Sequence, residues 1–309
     1  MKNEKNKIVV LLPCRNEETT IAQVVKGFKT SLPDASIYVY DNASTDQTAL
    51  KAKEAGAEVV FEATLGKGQV LRRMFADIDA DFYFVVDGDA TYDPSEAPVM
   101  LKTLIEGGYD MVSGARTGIA ENAERKGHIL GNRIFNFLYK KLFGSGFTDI
   151  FTGYRVCTRR FVKSFPAASS GFEVETELSV HASQLRLPVL EIPVTYGARP
   201  EGSTSKLRTF SDGFRIFKSM LVLLKENRPF ALFASLATGF FLTATGISIP
   251  ILVTYADTGL VPRLPTAILA MVLILLGLLS LLSGLILDAV AKARVEAKRL
   301  TYLQIPTNS

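Results

Sequence analysis

Two stretches near the end of the chain, Phe230 to Tyr255 and Ala267 to Leu287, contain no charged residue. As helices rising about 1.5 Å per residue, each is long enough to cross a hydrocarbon layer of about 30 Å, which takes about 20 residues. Two core helices of a large soluble domain would be the competing reading, and uninterrupted runs of this length count against it. Between them, Ala256 to Thr266 carries Asp257, Gly259, Pro262 and Pro265, residues suited to a short turn. Lys225 and Arg228 precede the first run, Lys292, Arg294, Lys298 and Arg299 follow the second, and the turn holds only Arg263. The positive-inside rule then puts both ends of a helical hairpin in the cytoplasm and the turn outside.

This feature divides the chain. Its 309 residues include 35 Lys and Arg and 31 Asp and Glu, a net charge of +4, yet Phe230 to Ala291 contributes only Asp257, Arg263 and Asp288. The remainder is charged like an ordinary soluble domain, which excludes a disordered chain. So small a positive balance also excludes the electrostatic footprint of a nucleic-acid partner. Cys14 and Cys157 stand far apart without a CxxC spacing and read as reduced thiols. At the N-terminus the five apolar residues Ile8 to Leu12 are too few for a signal-peptide core, so this end is expected in the cytoplasm. The expected organisation is a cytoplasmic soluble domain over 1–209, a juxtamembrane amphipathic helix over 210–229, two transmembrane helices within 230–291, and a cytoplasmic tail over 292–309. In the juxtamembrane segment Phe214, Phe217, Met220, Leu221 and Leu224 recur at helical spacing, with Arg215 and Lys218 off that face. A core-facing helix would show the same pattern.

The first 115 residues alternate β-branched runs with helical patterns. Strands are expected at Ile8–Leu12, Ile37–Tyr40, Glu58–Phe61, Phe82–Val86 and Met111–Ser113, with helices at Glu18–Thr30, Asp46–Ala55, Gly68–Ile78 and Pro94–Glu106 between them. Such alternation specifies an α/β fold, a Rossmann-like, mostly parallel sheet with flanking helices and a site at the carboxyl ends of the strands.

Polar residues gather at those ends: Pro13-Cys14-Arg15-Asn16-Glu17-Glu18, Asp41-Asn42-Ala43-Ser44-Thr45-Asp46, Gly66-Lys67-Gly68 and Asp87-Gly88-Asp89. Many such residues simply cap helices, and neither a Walker loop nor a GxGxxG fingerprint is present. Asp87 and Asp89 differ in kind. They end the apolar strand FYFVV, where desolvated charge is costly unless neutralised. Two hard oxygen ligands at one rim suit Mg²⁺ or Mn²⁺ shared with substrate phosphates.

The ordered set of these four motifs resembles family 2 glycosyltransferases of the GT-A fold. Gly114-Ala115-Arg116, Gly131-Asn132-Arg133, Thr148-Asp149, Thr152-Gly153-Tyr154-Arg155 and Ser205-Lys206-Leu207 resemble the polyprenyl-phosphate branch, which includes dolichol-phosphate mannose synthases and undecaprenyl-phosphate glucosyltransferases. The resemblance implies that Pro13, Arg15, Glu17 and Asp41 line the nucleoside pocket, with Lys67 near the nucleotide. It implies Asp87 and Asp89 as metal ligands, with Asp87 also at the nucleotide, and Arg116 and Arg133 as the clamp on the lipid phosphate. Asp149 falls where a base is sometimes proposed, and together Asp89, Arg116, Arg133 and Asp149 form the implied catalytic set. Arg15 replaces a frequent aromatic, Asn42 a second Asp, and Thr91 a metal-binding Gln.

The implied reaction is an inverting transfer of a hexose from a nucleotide sugar, UDP-linked by expectation, to a polyprenyl phosphate at the cytoplasmic face of a bacterial inner membrane. A phosphate oxygen is already largely anionic near neutral pH, so Asp149 reads as structural or phosphate-orienting rather than as an obligate base. Glu173, Glu175 and Glu177 are candidates for sugar hydroxyls, or alternate on a solvated strand, and His128 and His181 read as surface residues. A processive polysaccharide synthase would carry QxxRW, and the chain has no Trp. A GDP-mannose-dependent mannosyltransferase and a non-catalytic nucleotide-sugar-binding membrane partner are the alternatives. Gly277, Ser280 and Gly284 share about one face of the second run, as packing within the hairpin or a homo-oligomer would explain.

Overall fold

A computed structural model describes residues 6–117, 147–168, 171, 173–198, 222, 225 and 228–306. It divides into two compact units, Met1–Asp212 with Lys298–Ser309, and Gly213–Ala297.

The first unit is built on strands β1 (Ile8–Cys14), β2 (Ser36–Asp41), β3 (Glu58–Phe61), β4 (Phe82–Val85), β5 (Met111–Thr117), β6 (Arg155–Thr158) and β7 (Val189–Thr195). Its helices are α1 (Ile21–Ser31), α2 (Thr48–Glu54), α3 (Lys67–Asp77), α4 (Ala97–Gly107), α5 (Arg159–Ser164) and α6 (Val174–Leu185). The strands form one seven-stranded sheet in the order β3-β2-β1-β4-β6-β5-β7. β1 pairs in parallel with β2 and β4, as do β2 with β3 and β5 with β7, while β6 runs antiparallel between β4 and β5. The sheet is therefore of the expected α/β type, made mixed by the antiparallel β6; β6 and β7 are the two strands the sequence pattern did not reveal.

β1 lies at the centre because its run IVVLL is apolar on both faces, and Val9 through Leu12 are fully buried. Helix α1 covers it with Ile21, Val24, Val25 and Phe28, a stripe at helical spacing. The chain winds from β1 outward to β3 and then returns to β4 on the other side of β1. Strand order thus reverses beside β1, and the crevice beyond the carboxyl ends at such a switch point is where ligands of α/β sheets bind. Register sets the rim: Cys14 lies opposite Asp41, and the Val86 N–H donates to the Leu11 carbonyl, so Asp87 leaves the sheet beside the end of β1.

The terminal residues of this unit are not a loose tail. Tyr302 donates to Asp110 at 2.8 Å, Arg160 donates to the Ile305 carbonyl at 2.8 Å and stacks over the Tyr302 ring, and Lys298 donates to Gln184. The other Asp110 carboxylate oxygen accepts from Thr158, so both are engaged.

The second unit contains most of two long helices, α7 (Pro229–Thr258) and α8 (Leu264–Gln304). Both are long and apolar enough to cross a membrane, and only 11% and 17% of their most apolar windows are buried, unlike core helices of a soluble domain. Leu242, Leu252, Met271 and Ile286 are each well over half exposed, a surface that hydrocarbon accommodates and water does not. The hydroxyls of Thr238, Thr243, Ser248 and Thr254 turn back to carbonyls four residues earlier, satisfying themselves within α7. Gly277 and Gly284 of α8 lie against Phe241 and Phe233 of α7, so packing within the hairpin accounts for them. α8 continues helically through Gln304, into the segment expected as a separate tail. Most of the expected amphipathic helix, 210–229, lies outside the described residues.

Candidate active site

The turns after β1 and β2 are locked together by side chains that meet backbone. Asn16 Oδ1 accepts from the Thr45 N–H at 2.8 Å, and Ser44 Oγ accepts from the Asn16 N–H at 2.9 Å. Thr48 Oγ1 accepts from the Glu17 N–H, Asp46 from the Glu18 N–H, and Glu18 from the Gln47 N–H. Asn42 extends the lock to the turn before α3, donating to the Glu62 and Thr64 carbonyls and accepting from the Gly66 N–H. An aspartate at 42 could not donate, so the amide here does work that a carboxylate cannot. Pro13 is the penultimate residue of β1, Arg15 is exposed on the turn, and Glu17 and Asp41 are buried. Asp41 Oδ1 is buried without a hydrogen-bond donor among the described residues. A buried acceptor left in this state costs about 1–3 kcal/mol, and a ligand N–H or O–H would recover it.

Asp87 and Asp89 diverge at the end of β4. The Asp89 carboxylate is nearly sequestered, with Oδ1 accepting the Thr91 N–H at 3.2 Å and the Thr91 hydroxyl at 2.6 Å. Thr91 thus orients Asp89. The Asp87 side chain is 30% exposed and pairs with the Lys67 ammonium, which also pairs with Glu175. Lys67 opens α3 and Glu175 stands in the first turn of α6, where the helix dipole favours a carboxylate. Burial pushes the Lys67 pKa down, but the Asp87 and Glu175 charges outweigh it and hold the ammonium protonated, above its ordinary value. Glu175 is shifted up, by burial first, with Lys67 opposing. Gly88 is needed because an added Cβ would fall 2.4 Å from Cys14 Sγ. At Gly153 an added Cβ would fall 2.1 Å from Asp87 Oδ2.

Arg116, near the end of β5, meets Asp149 through a bidentate pair, Nε to Oδ2 at 2.7 Å and Nη2 to Oδ1 at 2.9 Å. Its guanidinium also lies 5.3 Å from the Tyr196 ring centre. Burial would raise the Asp149 pKa, yet the Arg116 guanidinium prevails and holds it below the usual carboxylate range. Asp149 is therefore ionised, with both oxygens engaged. Glu191 of β7 grips the same loop, accepting from the Thr148 and Asp149 N–H groups at 2.6 and 3.1 Å. Fully buried Arg155 donates to the Ile150 and Thr152 carbonyls, and Tyr92 accepts the Gly153 N–H at 2.8 Å.

The structure thus brings together Lys67 with Asp87 and Arg116 with Asp149, while Arg133 and Ser205-Lys206-Leu207 lie outside the described residues. Glu191 and Tyr92 carried no sequence signal. Glu175 did, within GFEVETE, but the segment is a helix rather than a solvated strand, because a left-handed Arg186 ends it and its faces bury Val174, Leu178 and Ala182. His181 is likewise buried rather than superficial, between Phe161 and Phe165, with Nε2 3.0 Å from Ser164 Oγ. Both cysteines are buried without a disulfide, as expected.

The model of the family described as Glycosyl transferase family 2 matches residues 9–165. Glycosyltransferase AglJ of Haloferax volcanii is 35% identical over 301 residues, 96% of this chain and 98% of the relative. A dolichyl-phosphate hexose transferase of the same organism is 28% identical, over 72% of this chain and 95% of the relative. Among solved structures, glucosyl-3-phosphoglycerate synthase from Mycobacterium tuberculosis, in complex with Mn²⁺, uridine-diphosphate and glucosyl-3-phosphoglycerate, is similar in fold. It matches with a TM-score of 0.58 at 23% identity, over 72% of this chain and 80% of that one.

Proposed function

This chain belongs to glycosyl transferase family 2, in its polyprenyl-phosphate branch, and from that premise we propose that it transfers a hexose from a UDP-sugar to a polyprenyl phosphate, inverting the anomeric carbon. The observation that carries this reading is the buried Asp41 Oδ1, without a donor among the described residues, at the same strand-end rim as Asp87 and Asp89. Asp41 accepts from the base or ribose, and Pro13, Arg15 and Glu17 close the nucleoside pocket. The uridine-diphosphate complex of the fold neighbour supports the choice of nucleotide.

Among the described residues no three His, Cys, Asp or Glu side chains form a ready metal cage. Asp87 and Asp89 nevertheless suit Mg²⁺ or Mn²⁺, which take one or two carboxylates and complete their shells with substrate phosphate and water. When bound, such a cation supplies charge stabilisation to the departing nucleoside diphosphate. Thr91 orients Asp89 for that task, and Lys67 contributes a second positive charge beside Asp87. Arg116, in the plane set by Asp149, receives the acceptor phosphate together with Arg133, a task suited to the guanidinium fork. The acceptor oxygen is anionic already, so positioning supplies most of the acceleration and Asp149 acts on Arg116 rather than as a base. The hairpin of α7 and α8 holds the enzyme at the membrane, with its catalytic unit and both ends of the hairpin on the cytoplasmic side.

The test is a donor panel, UDP-sugars and GDP-mannose, offered to the purified protein with polyprenyl phosphate and divalent metal. Hexose label should pass into the organic-solvent phase from a UDP-sugar, and Asp89→Ala should abolish it. Label entering the lipid only from GDP-mannose would overturn the donor assignment, and no labelled lipid from any donor would overturn the reaction.

A further inference from the structure

The Lys67 ammonium donates at once to Asp87 Oδ1 and Glu175 Oε1. Lys67 and Glu175 are largely buried, with side chains 7% and 11% exposed, whereas Asp87 keeps 30% open toward the rim. Two carboxylates share this one ammonium, so Asp87 holds only part of its counter-charge, and a further cation at the rim would complete it. On its Oδ2 side the Asp87 carboxylate is bounded by Gly153. The movable partner is Lys67, whose long stem reaches two acceptors.

We propose that Lys67 is a resident counter-cation which a divalent cation displaces from Asp87, and that Glu175 is the positioning residue that retains it. The proposal rests on the reading of Asp87 as a metal ligand. Lys67 and the metal compete for the same Asp87 oxygen. Glu175 lowers the cost of the exchange, since the ammonium keeps a buried carboxylate partner after it leaves Asp87. The displaced ammonium stays within the donor site, charged, where the diphosphate is to lie. Two substitutions therefore act in opposite directions on metal affinity. Lys67→Met removes the competitor, and Glu175→Gln removes the alternative seat, so the ammonium grips Asp87 more firmly.

The experiment is a Mn²⁺ titration of the purified full-length protein, following unbound Mn²⁺ by electron paramagnetic resonance, without nucleotide and again with UDP. Substitutions around metal ligands change affinity by about 10- to 100-fold. Lys67→Met should tighten Mn²⁺ binding without nucleotide by about tenfold, and Glu175→Gln should weaken it by about tenfold. Glu175→Asp should restore most of the wild-type affinity. Thermal melts of each variant report folding separately, and a Glu175 that served packing alone would move the melt and leave the Mn²⁺ affinity unchanged. Variants shifting affinity in the same direction, or not at all, would overturn the exchange while leaving metal binding at Asp87 intact. Absence of Mn²⁺ binding in wild type and Lys67→Met alike, with or without UDP, would instead overturn the metal reading and the exchange with it.

Discussion

Gly153→Ala adds a single carbon next to the proposed metal ligand and changes nothing else. The new Cβ would stand 2.1 Å from Asp87 Oδ2 and 2.7 Å from Cγ, whereas real contacts of this kind stay beyond 3.0 Å, so the carboxylate must retreat by about 0.9 Å. Backbone strain does not enter, because Gly153 is absent from the positions with left-handed φ. Stability should therefore change by no more than about 1 kcal/mol. A misplacement of about 1 Å in a reacting constellation costs about 100-fold in rate. Initial rates of lipid-linked hexose formation should fall by that order while the melting temperature stays within a few degrees. If the effect runs through Asp87, Gly153→Ala should add little to the loss already caused by Asp87→Asn, since residues acting as one unit are not additive. A fully active Gly153→Ala protein, or losses that multiply in the double variant, would refute the reasoning.

His181 makes the first unit acid-sensitive: burial, reinforced by the Lys298 charge, pushes its pKa from 6.5 down to about 3. The unfolded chain binds a proton below 6.5 and the folded chain resists until about 3, so stability falls as pH drops through that window, by about 2 kcal/mol at about pH 5. Melts compared between pH 7 and pH 5 should show a drop that His181→Gln largely removes, and an equal drop in both proteins would contradict it. Asp149→Asn should raise the KM for polyprenyl phosphate about tenfold, the worth of one charge-assisted hydrogen bond, and leave the shape of the pH–rate profile unchanged. An obligate base would instead lose its ionisation from that profile. Asn42→Asp should cost about 2–4 kcal/mol by chemical denaturation, because the Glu62 and Thr64 carbonyls lose their donors and a charge enters a buried lock.

Strands and helices of the first 115 residues were legible because each carries its own period: β1 is a continuous apolar run and α1 a stripe at Ile21, Val24, Val25 and Phe28. The antiparallel β6 was not, since its four residues RVCT include an arginine, and only the fold shows Arg155 satisfied by the Ile150 and Thr152 carbonyls. The hairpin was legible from charge alone, although the helical continuation of α8 through Gln304 was not, being polar and fixed by Tyr302 and Lys298 through contacts far apart in sequence. At the candidate site, residue types were readable and partnerships were not. Lys67 and Glu175 are separated by 108 positions and Arg116 and Asp149 by 33, distances over which no local pattern operates.

Those partnerships bear on what the motifs are for. Asn16, Ala43 and Ala90, each just past a parallel strand, have φ of 51°, 51° and 58°. Non-glycine residues in this region cost about 1–3 kcal/mol each and persist only where their surroundings over-determine them. Here the surroundings are the motif side chains themselves: Asn16 is held by Ser44 and Thr45, Ala43 lies between Asn42 and Ser44, and Ala90 is spanned by the Asp89–Thr91 hydrogen bonds. The same atoms therefore fix the strained turns and frame the proposed nucleotide pocket. Most substitutions in these motifs will lower stability and activity together, and activity alone cannot then assign a chemical role. Gly153 escapes this confounding because it has no side chain to lose, and the carbon it would gain falls nearest to the Asp87 carboxylate.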